Sequence, residues 1–555
     1  MGNWFSGCLF KNFIFIFMGT KMYLPKPSSQ SYPSLLQEIE KGQIKIPQFQ
    51  RNFVWSVSDS AKLMDSIIKG YPIGTFIFWR TKEQLRSVRN LGNITLPNSE
   101  DGEYVDYVLD GQQRLTSLFA CLRGTIIKRD NKKEDNFSKI YIDLTADYNQ
   151  DIVITDVSKL DVTNYISILD LLNADLVKLV SEYASHVGKI DKYRNSIKTY
   201  EFSIVQFKEA PIEIATEVFT RINTGGKSLT LFEIMVAKTF DEKQNFDLSE
   251  KFEKLLEELS EVGYETISDA SILQIMSLIL QDECTRHDIL KIPRQKFIDT
   301  WNDLVEAVKN AVDYFRSSYR IPVSQLLPYN ALLVPFSYFF YKEPNAKPSK
   351  EQAKYLQDFF WRCALAERYS SAVESKLAQD IKRINKIIKN EKPNYDWDVD
   401  SSVEAIEENG WFSAGKSYIK AILCIYAYQQ PKSFSNNANI NIGNDWLKQA
   451  NSKNYHHFFP KSYLNKQGEE EFYINHILNI TIVDDFLNKR EIGAQKPSKY
   501  MKKFQQENDE LDQTMKTHLI PDLEKFGIWD DDYGTFFKER AKLVSKEIKK
   551  RLLDK

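Results

Sequence analysis

Three of the six histidines fall between Tyr455 and Asn479. The pair His456-His457 is followed by Phe458-Phe459-Pro460, then by Asn479 inside an apolar run (477–483), then by Asn488 just before Lys489. Hydrolysis of a phosphodiester needs an activated water, a divalent cation that stabilises charge on the phosphate, and a positioned base. Imidazole titrates near neutrality and can take a proton from water at physiological pH. Imidazole nitrogen and amide oxygen are also both metal donors. A second set lies at DGQQRLT (110–116), where a predicted strand ends and a helix opens. An early glycine there exposes N–H groups at the positive end of a helix dipole, a ready place for phosphate. Arg114 carries a charge able to fork onto phosphate oxygens, and Gln112 and Gln113 both donate and accept. Asp110 is read either as a holder of a divalent cation or as a group orienting an attacking water. Two further segments carry polar residues suited to the same place. IPQFQRNFVW (46–55) brings Gln50 and Arg51, and FTRINTGG (219–226) brings Arg221, Asn223 and Thr224 beside two glycines that permit close backbone approach. No G-x-x-x-x-G-K-[ST] loop is present, so any triphosphate hydrolysis does not follow the P-loop route.

The C-terminal spacing resembles the HNH, or ββα-metal, nuclease motif. There a strand carries [Asp/His]-His-x-x-Pro, a second strand an Asn, and a helix a last His or Asn. On that resemblance His457 is the general base and His456 and Asn488 hold the metal, Mg²⁺ or Mn²⁺. Asn479 braces the loop carrying the histidines, and Lys489, Lys496 and Ser498 are weaker candidates for contact with the DNA backbone. His476 stands where the motif has no ligand and is read as structural. The three N-terminal segments, in this order and at these separations, resemble the N-terminal half of GmrSD-type, modification-dependent (type IV) restriction endonucleases. That resemblance implies a ParB/sulfiredoxin-like domain that binds and hydrolyses a nucleoside triphosphate with Mg²⁺. It carries Asp110, Gly111, Gln112, Gln113 and Arg114 into the nucleotide site, with Gln50, Arg51, Asn223 and Thr224 beside them. The stretch 361–382 also resembles the family's helical linker.

The elements that must position these residues follow from periodicity. Ser56 and Asp59 form a capping pair, Leu63/Ile67 and Met64/Ile68 an i, i+4 stripe, and Gly70 a stop, which predicts a helix over 56–70. Strands are expected at 72–79, 104–109, 140–144 and 202–207. A second helix carries Leu115, Leu118, Phe119 and Leu122, and Thr230 with Glu233 caps another. From about 245 the strand signals nearly vanish, and aromatic stripes there read as core rather than as stacking platforms. The expected fold class is α+β multidomain: an N-terminal ParB/sulfiredoxin-like α/β domain, a largely helical middle region, and a C-terminal ββα-metal (HNH) domain with a helical tail. The expected boundaries are an N-terminal extension at 1–22, a DGQQR nucleotide domain at 23–244, a helical linker domain at 245–440, an HNH domain at 441–510 and the tail at 511–555. The basic run at 538–555 is read as a solvated helix face.

Composition narrows the function classes. With 74 Lys plus Arg against 76 Asp plus Glu, the net charge is −2, so bulk charge does not grip nucleic acid and any DNA site is a local basic groove. Five scattered cysteines without a CxxC pair support neither a disulfide framework nor a zinc knuckle, which suits a reducing cytoplasm. The apolar stretch 8–18 contains Lys11 and is too short to span a bilayer. The opening MGNWFS fits a loose myristoylation pattern with Cys8 nearby, but the favoured reading is an upstream extension with the start at Met18 or Met22. The expected function is an HNH endonuclease with NTPase activity, acting on modified or foreign DNA in antiviral defence, without a membrane partner. The alternatives are a nucleotide-switched DNA-binding or toxin-like effector, or an HNH ribonuclease. A homo-oligomer stays open, since one HNH block cuts one strand at a time.

Overall fold

The computed structural model describes residues 23–554 apart from 48–52, 84, 86, 88–89, 92–93, 96, 98–101, 129–133, 223–228, 345–346, 445–454 and 484–491. The chain divides into two compact units, Met1–Phe240 and Asp241–Lys555. No helix among the described residues is long and apolar enough to cross a membrane.

The first unit is built on a mixed five-stranded sheet. Its elements are β1 (Lys26–Ser31), α1 (Tyr32–Glu40), β2 (Ile44–Lys45), α2 (Val57–Ile68), β3 (Phe76–Thr81), β4 (Val105–Asp110), α3 (Gln112–Arg123), α4 (Val187–Lys198), β5 (Glu201–Lys208), α5 (Ile212–Ile222) and α6 (Leu231–Thr239). The strand order is β1-β5-β3-β4-β2, with β5/β3 and β4/β2 parallel and the other pairs antiparallel. Phe76, Phe78, Val108, Phe202 and Ile204 pack on one sheet face in a core shared with Leu35, Met64, Ile67, Leu118 and Phe119. Alternation along the strands sends Trp79 and Tyr107 to the opposite face, where both are still buried. The helix α2 forms as the sequence reads. Ser56 Oγ accepts from the Asp59 N–H, the Asp59 carboxylate accepts from the Ser56 N–H, and Gly70 ends the helix at a φ of 73°. One strand differs from expectation: the strand expected at 72–79 begins only at Phe76, and Ile73, Gly74 and Thr75 form the loop before it.

The second unit is mainly helical. Its core joins α7 (Arg294–Ser318), α8 (Leu333–Lys342) and α9 (Lys350–Leu365) through rings such as Phe315, Phe336 and Phe360, with Phe315 and Phe336 centroids 4.7 Å apart. Burial on all of these rings makes the aromatic stripe a core. Within 361–382, Asp380 accepts from Arg368, Arg383 and the Tyr369 hydroxyl. A second buried pair, Asp358 with Arg362, binds the backbone of Leu553 from both sides: Asp358 accepts its N–H at 2.8 Å and Arg362 donates to its carbonyl at 2.6 Å.

Toward the C-terminus come α10 (Val403–Asn409), α11 (Ser417–Tyr428), β6 (Tyr455–His457), β7 (Ile480–Ile482), α12 (Pro497–Glu507) and α13 (Tyr533–Lys549). The run read as a solvated face is half buried. In α13, Phe536 stacks on Phe458 with ring centroids 5.1 Å apart and packs at a tilt on Phe459, also at 5.1 Å, and Arg540 is 1% exposed. The Arg540 guanidinium donates to the carbonyls of Leu478 (2.6 Å) and His518 (3.2 Å).

Two histidines in this core are held neutral. His476 donates through Nε2 to the Glu407 carbonyl at 3.2 Å and accepts at Nδ1 from the Leu478 N–H at 3.1 Å. His518 donates to the Lys432 carbonyl at 2.7 Å. Burial pushes both imidazoles down to about 4 from 6.5. Below pH 6.5 the unfolded chain takes up protons that these folded sites refuse. Their contribution is therefore complete above pH 6.5, falls as the pH drops from 6.5 to 4, and is flat below. Each accounts for about 3 kcal/mol across that window. Urea midpoints of the unaltered protein should fall steeply between pH 6.5 and 4.5, and those of His518→Gln should fall less.

Candidate functional site

In the first unit the DGQQR turn is set by sterics. Strand β4 ends at Asp110, opposite a register shift between Ile77 and Phe78 that re-aims the strand end. Gly111 then takes a φ of 95°, and a Cβ there would stand 2.4 Å from the Phe76 ring, so glycine is required twice over. Gly111, at the cap position of α3, has no side chain to cap the helix. Gln113 Oε1 accepts from the N–H groups of Val54 (2.8 Å) and Trp55 (3.3 Å), which fastens the end of the 46–55 segment to the turn.

Arg114 has a different position from the one its type suggested. Its guanidinium donates to the carbonyls of Ile73 (2.7 Å) and Thr75 (3.1 Å) and to Asp110 Oδ2 (3.0 Å), and lies over the Phe76 ring. Gly74 makes room for it, since a Cβ there would meet Arg114 Nη1 at 2.4 Å. Arg114 is thus a clamp on the β3 entry loop and on the Asp110 carboxylate. The Asp110 side chain stays 35% exposed, and its Oδ1 has no hydrogen-bond partner among the described residues. Gly74 was missed by sequence reasoning, although a glycine inside an expected strand is itself a sign of close approach. Arg221, on α5, pairs with Glu217 in solvent. Gln50, Arg51, Asn223 and Thr224 lie outside the described residues.

In the second unit the histidine pair sits on β6, which runs antiparallel to β7 with His456 opposite Thr481 and His457 opposite Ile480. His456 is 3% exposed, with the Tyr500 ring edge-on at 6.3 Å. His457 is half-buried and donates through Nε2 to Asn475 Oδ1 at 3.1 Å. Asn475 is oriented by donating its Nδ2–H to the Phe412 carbonyl. This bond fixes the His457 proton on Nε2 and leaves Nδ1 as the acceptor. Burial, with help from the Lys461 charge, pushes the imidazole down to about 4, so it is unprotonated at neutral pH.

Asn479, fully buried, brackets the residue after the histidine turn. Its Oδ1 accepts from the Phe459 N–H (2.9 Å), and its Nδ2 donates to the Phe459 (3.0 Å) and Ile474 (3.0 Å) carbonyls. Its backbone carbonyl accepts from the Phe458 N–H at 2.8 Å. Lys496 pairs with Asp531 at 2.9 Å, and Ser498 donates to the same carboxylate through both N–H and Oγ. Asn488 and Lys489 lie outside the described residues. Among the described residues no group of three or more His, Cys, Asp or Glu side chains is placed to hold a metal ion.

Comparison with known proteins places two findings beside this geometry. Residues 33–240 match the family model described as the N-terminal domain of GmrSD restriction endonucleases. The matched stretch contains the DGQQR turn and all of the sheet from β2 onward, and stops where the first unit stops. An uncharacterized protein of Methanocaldococcus jannaschii is 26% identical over 532 residues, covering 85% of this chain and 86% of its own length. The likeness to that protein therefore runs through both units.

The turn geometry gives a stability prediction. Gly111→Ala should cost the first unit about 3 kcal/mol, from left-handed backbone and the clash with Phe76. A chemical-denaturation midpoint equal to that of the unaltered protein would remove the steric argument.

Proposed function

We propose that the chain is a modification-dependent DNA endonuclease, with an HNH-type site in the second unit and a nucleoside-triphosphate module in the first. The observation that carries this reading is the Asn479 bracket on Phe459 next to the antiparallel pair bearing His456 and His457. It holds the histidine turn by side-chain bonds where a nuclease of this type needs a rigid base. The match of 33–240 to the GmrSD N-terminal domain supports the restriction context and DNA as substrate.

In this reading His457 Nδ1 takes the proton of the attacking water, with Nε2 held by Asn475. His456 and Asn488 hold Mg²⁺ or Mn²⁺, which when bound stabilises charge on the scissile phosphate. His456 is the ion's donor among the described residues. In the first unit, Asp110 orients water or a cation through its open oxygen, and the N-terminus of α3 receives phosphate. Arg114 keeps Asp110 in place.

The test uses supercoiled plasmid, unmodified or from a modified-DNA phage, with Mg²⁺ or Mn²⁺. Nicking should fall at least 100-fold in His457→Ala, and equal cutting by both proteins would remove the assignment. In the nucleotide module, Arg114→Ala should weaken triphosphate binding at least tenfold by calorimetry. Unchanged binding in a variant that is still folded by circular dichroism would show that the Arg114 clamp on Asp110 plays no part in holding the triphosphate.

A further inference from the structure

A near-neutral chain that acts on DNA must gather its positive charge locally. One helix does so. Against a net charge of −2, α13 carries Lys538, Arg540, Lys542, Lys546 and Lys549 with only Glu539 and Glu547 in opposition, and Lys550 follows at its end. Lys542, Lys546, Lys549 and Lys550 line an open groove of about 580 Å³ between α13 and α10, together with Val403 and Ser545. The α10 wall carries Glu404, Glu407 and Glu408, which make no ion pair among the described residues, so the positive charge lies on the α13 wall alone, where the acids are committed. Glu539 holds Lys542 and Lys525, and Glu547 holds Lys550 and Arg551. Asp400 interacts with Lys549 at longer range. Lys546 and Lys549 make no ion pair among the described residues.

We propose that this groove is a track for the phosphate backbone of duplex DNA, feeding the histidine site; the inference rests on the nuclease reading above. Lys542 to Lys550 spans about 12 Å of helix. A strand of duplex carries one negative charge at every nucleotide step, so lysines spread over that length can pair with more than one phosphate of the same strand. The same helix is rigidly joined to the site, because Phe536 packs on Phe458 and Phe459 and Arg540 binds the carbonyl next to Asn479. A lipid surface is the poorer occupant. Interfacial helices insert large apolar side chains, and among the described residues of this unit only Tyr473 is a large apolar side chain left exposed.

The experiment measures affinity for a labelled DNA duplex by fluorescence anisotropy between about 50 and 200 mM salt, in the His457→Ala background so that the probe is not consumed. Lys546→Gln with Lys549→Gln should flatten the dependence of log affinity on log salt by about 2, at roughly 0.9 per phosphate contact, and weaken binding about tenfold or more at low salt. A charge-matched control, Lys254→Gln with Lys354→Gln, should leave the slope unchanged. Equal slopes for the groove pair and the unaltered lysines, or no duplex binding at any salt, overturn the groove. If the slope is unchanged while plasmid cutting still depends on His457, the groove falls and the nuclease reading stands. If the slope flattens while His457→Ala cuts normally, the groove stands and the nuclease assignment falls.

Discussion

A buried guanidinium holds the second unit together around its candidate site. Arg540 is all but closed to solvent, and the partners it binds are carbonyl oxygens rather than a carboxylate. The Tyr426 and Phe536 rings lie against it, and burial pulls its pKa down. A charge in that position is costly unless its donors are met; the carbonyls of Leu478 and His518 meet Nη1 and Nη2 from two separate loops, while Nε is buried without a partner among the described residues. The arrangement fixes α13, the 477–479 turn and the loop at His518 against one another. Asn479 is the next residue after Leu478, so the bracket that shapes the histidine turn inherits its position from Arg540.

The first unit solves a similar problem with a similar tool. Arg114 binds two carbonyls on the entry to β3 and one oxygen of Asp110, and Gly74 and Gly111 keep the space that this requires. In both places an arginine clamps irregular backbone. Irregular backbone needs such partners, because its carbonyls have no ladder to pair with. The flat fork of the guanidinium can reach two or three of them at once, which an ammonium cannot do with the same geometry.

Much of the local structure was legible because its causes are local. The Ser56/Asp59 and Thr230/Glu233 caps, the α2 stripe and the helix after DGQQR depend on neighbours within four residues. The role of Arg114 was not legible, since its acceptors at Ile73 and Thr75 are about forty positions away and become neighbours only when β3 and β4 pair. Asn475 is a similar case. It lies eighteen residues from His457 and has no motif of its own, yet it sets the tautomer. The reading of 538–555 as a solvated face missed that the helix has two faces of opposite character. One carries Phe536, Arg540 and Val544 into the core, and the other carries the lysines of the groove.

The groups available for chemistry can then be found by subtraction. Asn479 uses its amide on backbone, His476 has a bond at each ring nitrogen, and Arg114 and Arg540 are engaged with carbonyls. Among the motif residues described, Asp110 Oδ1 and His457 Nδ1 are acceptors whose sister atoms are already fixed by a hydrogen bond. A fixed sister atom orients the open one and removes the reorganisation that a free side chain would undergo on meeting a ligand. Each unit therefore presents one oriented acceptor on a braced turn. In a carboxylate that acceptor suits a cation or a water, and in a neutral imidazole it suits a proton.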